Sequence, residues 1–359
     1  MTRRLSELTT LRLGGPAERL VEVRTEDELV EAVRAVDAAG EPLLVLGGGS
    51  NVVVADEGFP GTVVLLATRG VERREAHGRT ELTVQAGEPW EPFVERCVAE
   101  GLAGVEALSG IPGSIGATPI QNVGAYGQEV AETITGVRVF DRRRGAIEEL
   151  SPEACEFGYR TSLFKRVPDR WVVLAVSFAL ERSDIGGPVT YPELARALGV
   201  EVGERAPLTQ IRDAVLRLRR AKGMVIDPDD PDSVSAGSFF TNPVLSEDQF
   251  AALETRAHEK LGAEARPPRF PQPHGRVKTS AAWLIERSSF ARSHGDPLTV
   301  SISSKHTLAL TNRGAGTSTQ LLALARELAE GVEREWGVAL RPEPVLIGQA
   351  WAQPPDIPS

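Results

Sequence analysis

Leu43-Leu44-Val45-Leu46-Gly47-Gly48-Gly49-Ser50-Asn51-Val52-Val53-Val54 decides the fold class, because two short apolar runs flank a turn built mainly of glycine. Runs of this length without polar alternation predict buried strands on both sides. Glycine tolerates positive φ and close backbone approach, so the turn can present several N–H donors in a concave nest suited to a diphosphate. Ser50 and Asn51 add side-chain donors. The spacing is not GxGxxG and no helix opens on the turn, which argues against a Rossmann dinucleotide site. Taken alone, the turn also fits a tight strand connection with no ligand.

On the N-terminal side, Leu29, Val30, Val33 and Val36 recur at helical spacing and predict a helix from Glu26 to Ala39. Strands are expected at Thr62 to Leu66 and Glu81 to Gln85, followed by a helix carrying Trp90, Phe93, Val94, Cys97 and Val98, with Gly101 as its stop. Further helices are expected at Leu208 to Arg220, Glu247 to Leu261 and around Leu321 to Trp336, and a strand at Val345 to Ile347. The acidic, proline-rich Asp227 to Asp232 reads as a domain boundary. Arg266 to Pro273 reads as a loop, and the proline-rich tail as lacking fixed structure.

The composition is that of a globular chain: 359 residues, 41% hydrophobic, 25% charged, net charge -10. Acidic and basic residues are interspersed, so no nucleic-acid stripe is expected, and the Arg142 to Arg144 and Arg217 to Arg220 clusters read as solvated faces. Cys97 and Cys155 have no CxxC spacing and read as core residues of a reducing compartment, with no metal site. Arg3 and Arg4 are not followed by an apolar signal segment, and Val172 to Leu180 is too short to span a bilayer. A cytoplasmic protein without membrane partners is expected.

The stretch from Gly104 to Gly127 is too long to be a mere turn. Its core, Ile111-Pro112-Gly113-Ser114-Ile115-Gly116-Ala117-Thr118-Pro119-Ile120-Gln121-Asn122-Val123-Gly124-Ala125-Tyr126-Gly127, alternates small residues with isolated apolar ones. Such a segment can lie flat against a planar aromatic ligand. Carrying both glycine loops, the sequence resembles the MurB reductase family along nearly its whole length, from Thr10-Leu11-Arg12-Leu13-Gly14-Gly15-Pro16 to Pro342-Glu343-Pro344. Phe157-Gly158-Tyr159-Arg160, Gly237-Ser238-Phe239-Phe240-Thr241-Asn242-Pro243 and Arg341-Pro342-Glu343-Pro344 resemble three further family motifs. Val189-Thr190-Tyr191-Pro192-Glu193-Leu194 looks like the tyrosine loop of the type I members.

The resemblance implies a mixed α+β (α/β) fold: an FAD-binding fold of the vanillyl-alcohol-oxidase/PCMH type in two subdomains, then a C-terminal α+β substrate-binding domain. The bounds expected are 1–74 with about 346–359, 75–222 with the Tyr191 loop, and 223–345. It implies non-covalent FAD held by Gly47, Gly48, Gly49, Ser50, Asn51, Val52, Pro112, Gly113, Gly116, Ala117, Thr118, Ile120, Gly124, Ala125 and Tyr126. Some relatives carry Ser where Ala117 stands, so a side-chain hydrogen bond to the cofactor is either absent or moved to Thr118, and Arg287 stands where some have Gln.

The implied reaction is NADPH-dependent reduction of the enolpyruvyl ether of a UDP-sugar, UDP-N-acetylglucosamine enolpyruvate. Arg160 and a protonated or proton-sharing Glu343 stabilise the charge left beside the carboxylate, and Ser238 donates the proton. Tyr126, Tyr159, Tyr191, Lys222, Asn242 and Lys278 join these three in substrate binding, and a monomer is expected. Two other readings fit parts of the sequence. An oxidase or dehydrogenase of the vanillyl-alcohol-oxidase group leaves Ser238 and Glu343 unexplained. A non-enzymatic nucleotide-binding protein on the same scaffold does not require all of Arg160, Ser238 and Glu343 to be present.

Overall fold

A computed structural model describes residues 3–76 and 78–351, so the expectation for the proline-rich tail lies outside the described residues. The chain forms two compact units: residues 3–4, 16–49 and 59–226 make one, and residues 5–15, 50–58 and 227–351 make the other. The last change of unit falls between Ile226 and Asp227.

The first unit begins with β1 (Ala17–Val23), α1 (Glu26–Ala39) and β2 (Leu43–Leu46). Helix α1 starts on a capping box, with Thr25 accepting from Glu28 N–H and the Glu28 side chain returning to Thr25, and stops at left-handed Gly40. The strand that follows the glycine turn, β3 (Val52–Val54), leaves this unit, and β4 (Phe59–Leu66) returns to lie between β1 and β2, parallel to both. Leu29, Val30 and Val33 of α1 are buried in a cluster with Val23 and Val64.

A larger antiparallel sheet follows. It contains β5 (Val71–Ala76), β6 (Arg79–Gln85), β7 (Ile134–Asp141), β8 (Ala146–Leu150) and β9 (Trp171–Arg182) in the order β8-β7-β9-β6-β5. Helix α2 (Trp90–Ala99) buries Trp90, Phe93, Val94 and Cys97 in the same cluster as Val84, Val176 and Phe178 of that sheet. Both cysteines are buried, and burial pushes each thiol up to about 12. Helices α3 (Pro192–Leu198) and α4 (Leu208–Ala221) complete the unit. The arginine cluster on α4 is not wholly a solvated face. Arg219 follows Ile211 and Val215 at four-residue spacing, so its side chain enters the buried stripe, where Nη2 donates to Met224 O at 2.9 Å and burial lowers its pKa.

The second unit holds the sheet β10 (Ser235–Ser238), β15 (Ala309–Asn312) and β14 (Val300–Ile302), and a smaller sheet of β11 (Val244–Ser246), β13 (Arg276–Lys278) and β12 (Phe270–Gln272). Phe270–Gln272 was expected to be loop. It pairs as an edge strand, where Pro271 costs no ladder bond on the open side. Helices α5 (Glu247–Leu261), α6 (Ala281–Glu286) and α7 (Ser318–Trp336) close one apolar core with Leu11, Leu13 and Val53. Val53 is there because β3 pairs in parallel with β16 (Val345–Ile347), in register Val52↔Val345. The second strand of the glycine turn therefore belongs to the second unit, paired with a strand at the edge of the C-terminal stretch (about 346–359) that was expected to join residues 1–74.

Candidate functional site

The first unit contains a cleft of about 360 Å³ lined by Gly47 and Gly48 on one side and Gly113 and Ser114 on the other, with Arg69 and Gly87 nearby. The glycines are required by space. A Cβ on Gly47 would collide with Ser114 Oγ, one on Gly48 would stand 2.7 Å from Gly113 Cα, and one on Gly116 2.6 Å from Ala86 Cβ. Ser114 is 4% exposed, and its Oγ is a buried polar atom with no hydrogen-bond partner among the described residues. A buried hydroxyl without a partner is costly unless a ligand completes it. An orphan hydroxyl in a cradle free of Cβ atoms fits the diphosphate of a dinucleotide.

The second loop is pinned beneath this cleft by its backbone: Trp90 N–H donates to Gly113 O, Ile115 N–H to Glu88 O and Gly116 N–H to Ala86 O. Ala117 and Thr118 close a single 3-10 turn, and the Thr118 hydroxyl donates to Ile115 O at 2.8 Å within it. Further on, Asn122 is buried at φ +49°, accepts from Ala131 N–H, and donates to Glu129 and to Gly158 O at 3.2 Å. Ser162 donates to Ile120 O at 2.6 Å. These bonds bring the Phe157–Lys165 motif against the loop, and Arg160, itself at φ +53°, donates from Nη2 to Gly124 O at 2.8 Å. Its guanidinium carbon lies 5.5 Å from the Tyr159 ring centre. With Tyr126 at φ +51°, three non-glycine residues in the left-handed region cluster here, a concentration of backbone strain typical of functional sites.

Tyr126 meets Tyr191 edge to face at 5.5 Å, and Lys222 Nζ lies 5.8 Å from the Tyr126 ring and 2.6 Å from Glu193 Oε2. Burial raises the Tyr126 hydroxyl to about 12 against the opposing pull of Arg219, and burial also raises Tyr191. Arg160, Tyr159, Gly124, Ala125, Tyr126, Tyr191 and Lys222 thus belong to the first unit, as do Gly47, Gly48, Gly49, Pro112, Gly113, Gly116, Ala117, Thr118 and Ile120.

Ser50, Asn51, Val52, Ser238, Asn242, Lys278 and Glu343 belong to the second unit. There the glycine turn's exit, the serine motif and the terminal glutamate motif are tied strand to strand. Val345 N–H donates to Asn51 O at 2.9 Å, Asn51 Nδ2 to Glu343 O at 3.5 Å, and Glu343 N–H to Phe239 O at 2.8 Å. Thr10 of the first motif donates to Ser235 O at 2.8 Å. Asn242 accepts the Ala281 N–H at 3.0 Å and so helps cap α6, while Lys278 Nζ stands 6.0 Å from the Phe270 ring. Arg287 is the C-cap of α6, over Trp283.

Sequence reasoning passed over Asn122, the orphan role of Ser114, Arg69 at the cleft, and His306, whose Nε2 lies 3.5 Å from Ser238 Oγ. The φ value of Asn122 had a weak local signal in its small-residue context, whereas a lone histidine in Ser303-Ser304-Lys305-His306 had none. Among the described residues no group of three or more His, Cys, Asp or Glu can hold a metal ion, and no helix is long and apolar enough to cross a membrane.

Residues 17–151 match the family described as FAD binding domain, and residues 229–347 match that described as UDP-N-acetylenolpyruvoylglucosamine reductase, C-terminal domain. The chain is 57% identical to a UDP-N-acetylenolpyruvoylglucosamine reductase of Thermobifida fusca, over 96% of each chain. It is 56% identical to one of Streptomyces coelicolor, over 96% of this chain and 89% of the relative. Among solved structures it resembles the reductase (MurB) from Thermus caldophilus, with TM-score 0.63 and 26% identity over 97% of this chain and 98% of that one.

Proposed function

The chain belongs to the UDP-N-acetylenolpyruvoylglucosamine reductase (MurB) family, and on that premise we propose that it reduces UDP-N-acetylglucosamine enolpyruvate to UDP-N-acetylmuramate for peptidoglycan precursor synthesis, with FAD as cofactor and NADPH as co-substrate. The observation that carries this reading is the cleft in which Ser114 Oγ is orphaned against Gly47 and Gly48. Residues 47–52 and 112–126 would hold the flavin, and neither glycine loop supplies a His or Cys for a covalent link.

FAD, when bound, would supply the hydride that reaches the terminal methylene carbon. Negative charge then develops on the carbon beside the carboxylate and on its oxygens, and the protein's task is to stabilise that charge and deliver one proton. Arg160 presents a fixed fork of donors suited to a carboxylate, and Glu343 shares a proton with the enol-like oxygen. Ser238 donates the proton to carbon, a step that fixed geometry and a strongly basic acceptor make feasible for a hydroxyl. Tyr126, Tyr159, Tyr191, Lys222, Asn242 and Lys278 bind the sugar nucleotide, with Lys222 as the point charge for phosphate. The enzyme works as a cytoplasmic monomer.

An anaerobic two-step assay tests this. Purified protein is yellow, NADPH bleaches it, and the enolpyruvyl sugar nucleotide restores the colour without oxygen; failure of that restoration rejects the substrate. Ser238→Ala leaves bleaching nearly intact and abolishes reoxidation. Equal loss of both half-reactions takes Ser238 out of its role.

A further inference from the structure

We infer that His306 is a positioning residue for the Ser238 hydroxyl, its Nε2–H donating to Ser238 Oγ. The inference rests on the reading above, in which Ser238 is the proton donor. The two side chains approach to 3.5 Å, a long contact of the kind that tightens when charge develops on the acceptor.

The approach is built by the backbone. Ser238 pairs with Ala309 across β10 and β15, and Phe239 N–H donates to Leu308 O at 2.7 Å, which fixes Ser238 beside the turn that precedes β15. That turn is clamped. Ser303 Oγ accepts the N–H groups of Lys305 and His306 at 3.0 and 3.1 Å, and Ala309 N–H donates to His306 O. Between Ser303 and Lys305, Ser304 donates both its N–H and its hydroxyl to Asp232, at 2.9 and 2.6 Å, and Arg313 donates to the same carboxylate at 2.8 Å. Asp232 is 3% exposed; burial alone would raise its pKa, but the bonds from Ser304 and Ser303 and the charge of Arg313 outweigh burial and hold it below the usual aspartate range. Lys305 adds an ion pair to Asp230 at 2.8 Å. The buried Arg313–Asp232 pair, the more exposed Lys305–Asp230 pair and five further hydrogen bonds hold this turn, and His306 is its member that reaches Ser238.

The chemistry explains the need. A serine hydroxyl that must protonate carbon has to aim its only hydrogen at the substrate, and it keeps that freedom when its oxygen is occupied by a donor. An imidazole that accepted the serine hydrogen would turn it away, so Nε2 carries the proton. In the step itself the Ser238 O–H bond breaks, its proton forms the new C–H bond beside the carboxylate, and the electron pair stays on Oγ. The Nε2–H bond to Oγ becomes charge-assisted at that moment, and a proton from water then restores the hydroxyl.

The test uses the full-length, FAD-loaded enzyme in single turnover, with each half-reaction followed by flavin absorbance. His306→Phe and His306→Ala slow reoxidation by the enolpyruvyl substrate about 10- to 100-fold, the worth of one hydrogen bond to a charged group, with NADPH bleaching unchanged. The slowed step gains a solvent deuterium isotope effect. His306→Gln, which keeps an N–H donor of similar reach, returns the rate to within a few-fold. Equal slowing of both half-reactions, no slowing in either, or a Gln variant no faster than Phe overturns the inference. Reoxidation that survives in Ser238→Ala overturns the underlying reading instead.

Discussion

Gly48 approaches the second loop so closely that a Cβ built on it would stand 2.7 Å from Gly113 Cα and 3.0 Å from the Gly113 carbonyl carbon. Contact of backbone with backbone cannot be relieved by a rotamer change, so a single methyl group must move one loop. Overpacking of this kind costs about 1 to 3 kcal/mol, which is about a ten- to hundredfold loss of flavin affinity if it falls on the cleft. Gly48→Ala is therefore expected to purify with little or no yellow colour and to show a weakened thermal shift on adding FAD. Gly187→Ala is the matched control, since a Cβ there meets nothing within 4 Å, and it keeps its colour. A coloured Gly48→Ala protein with ordinary FAD affinity would show that the cleft is only a strand connection, the alternative the turn carried when read by itself.

At the scale of elements, α3 joins two features that sequence reading kept apart. Tyr191 is its N-cap and Glu193 lies in its first turn, so the tyrosine loop and the Lys222–Glu193 ion pair move as one piece. A phosphate that takes Lys222 must compete with the Glu193 carboxylate 2.6 Å away. Glu193→Gln removes the competitor while keeping the shape, and KM for the sugar nucleotide is expected to fall about two- to fivefold, the scale of a partly exposed pair, with the NADPH bleaching rate unchanged. A rise in KM would mean that Glu193 orients Lys222 rather than holding it back. Elements with strong ends were legible in the sequence: the capped helices Glu26–Ala39 and Glu247–Leu261 and the strand Val345–Ile347 fall where periodicity and turn residues put them. Phe270–Gln272 was not, because Pro267, Pro268 and Pro273 around it and Pro271 within it mask an edge strand whose only requirement is a partner on one side. The burial of Arg219 was written in its four-residue spacing from Val215 but hidden by the charged residues around it.

At the scale of the whole molecule, what local sequence cannot supply is the partner of a strand. Val52–Val54 reads correctly as a buried strand, yet nothing within it says that its ladder runs to Val345–Ile347 near the other end of the chain. The candidate site follows the same rule: the glycine loops and the serine and glutamate motifs were legible as residue types, whereas the bond from Glu343 N–H to Phe239 O and the reach of His306 to Ser238 depend on long-range pairing. The consequence is that the second unit is not a detachable C-terminal domain. Its core includes Leu11, Leu13 and Val53, all buried, from two segments that precede residue 59. A fragment of residues 227–359 loses those three side chains, at about 2 kcal/mol each, together with the β3 partner of β16. Their sum is comparable with the whole stability of an ordinary domain, about 5 to 15 kcal/mol. The fragment is therefore expected to lack a cooperative thermal transition and the near-ultraviolet dichroism of a packed Trp336, while the full chain shows both. Adding the segment 5–58 in trans should recover part of that signal. A fragment that melts cooperatively by itself would mean that the inserted segments decorate this core without completing it.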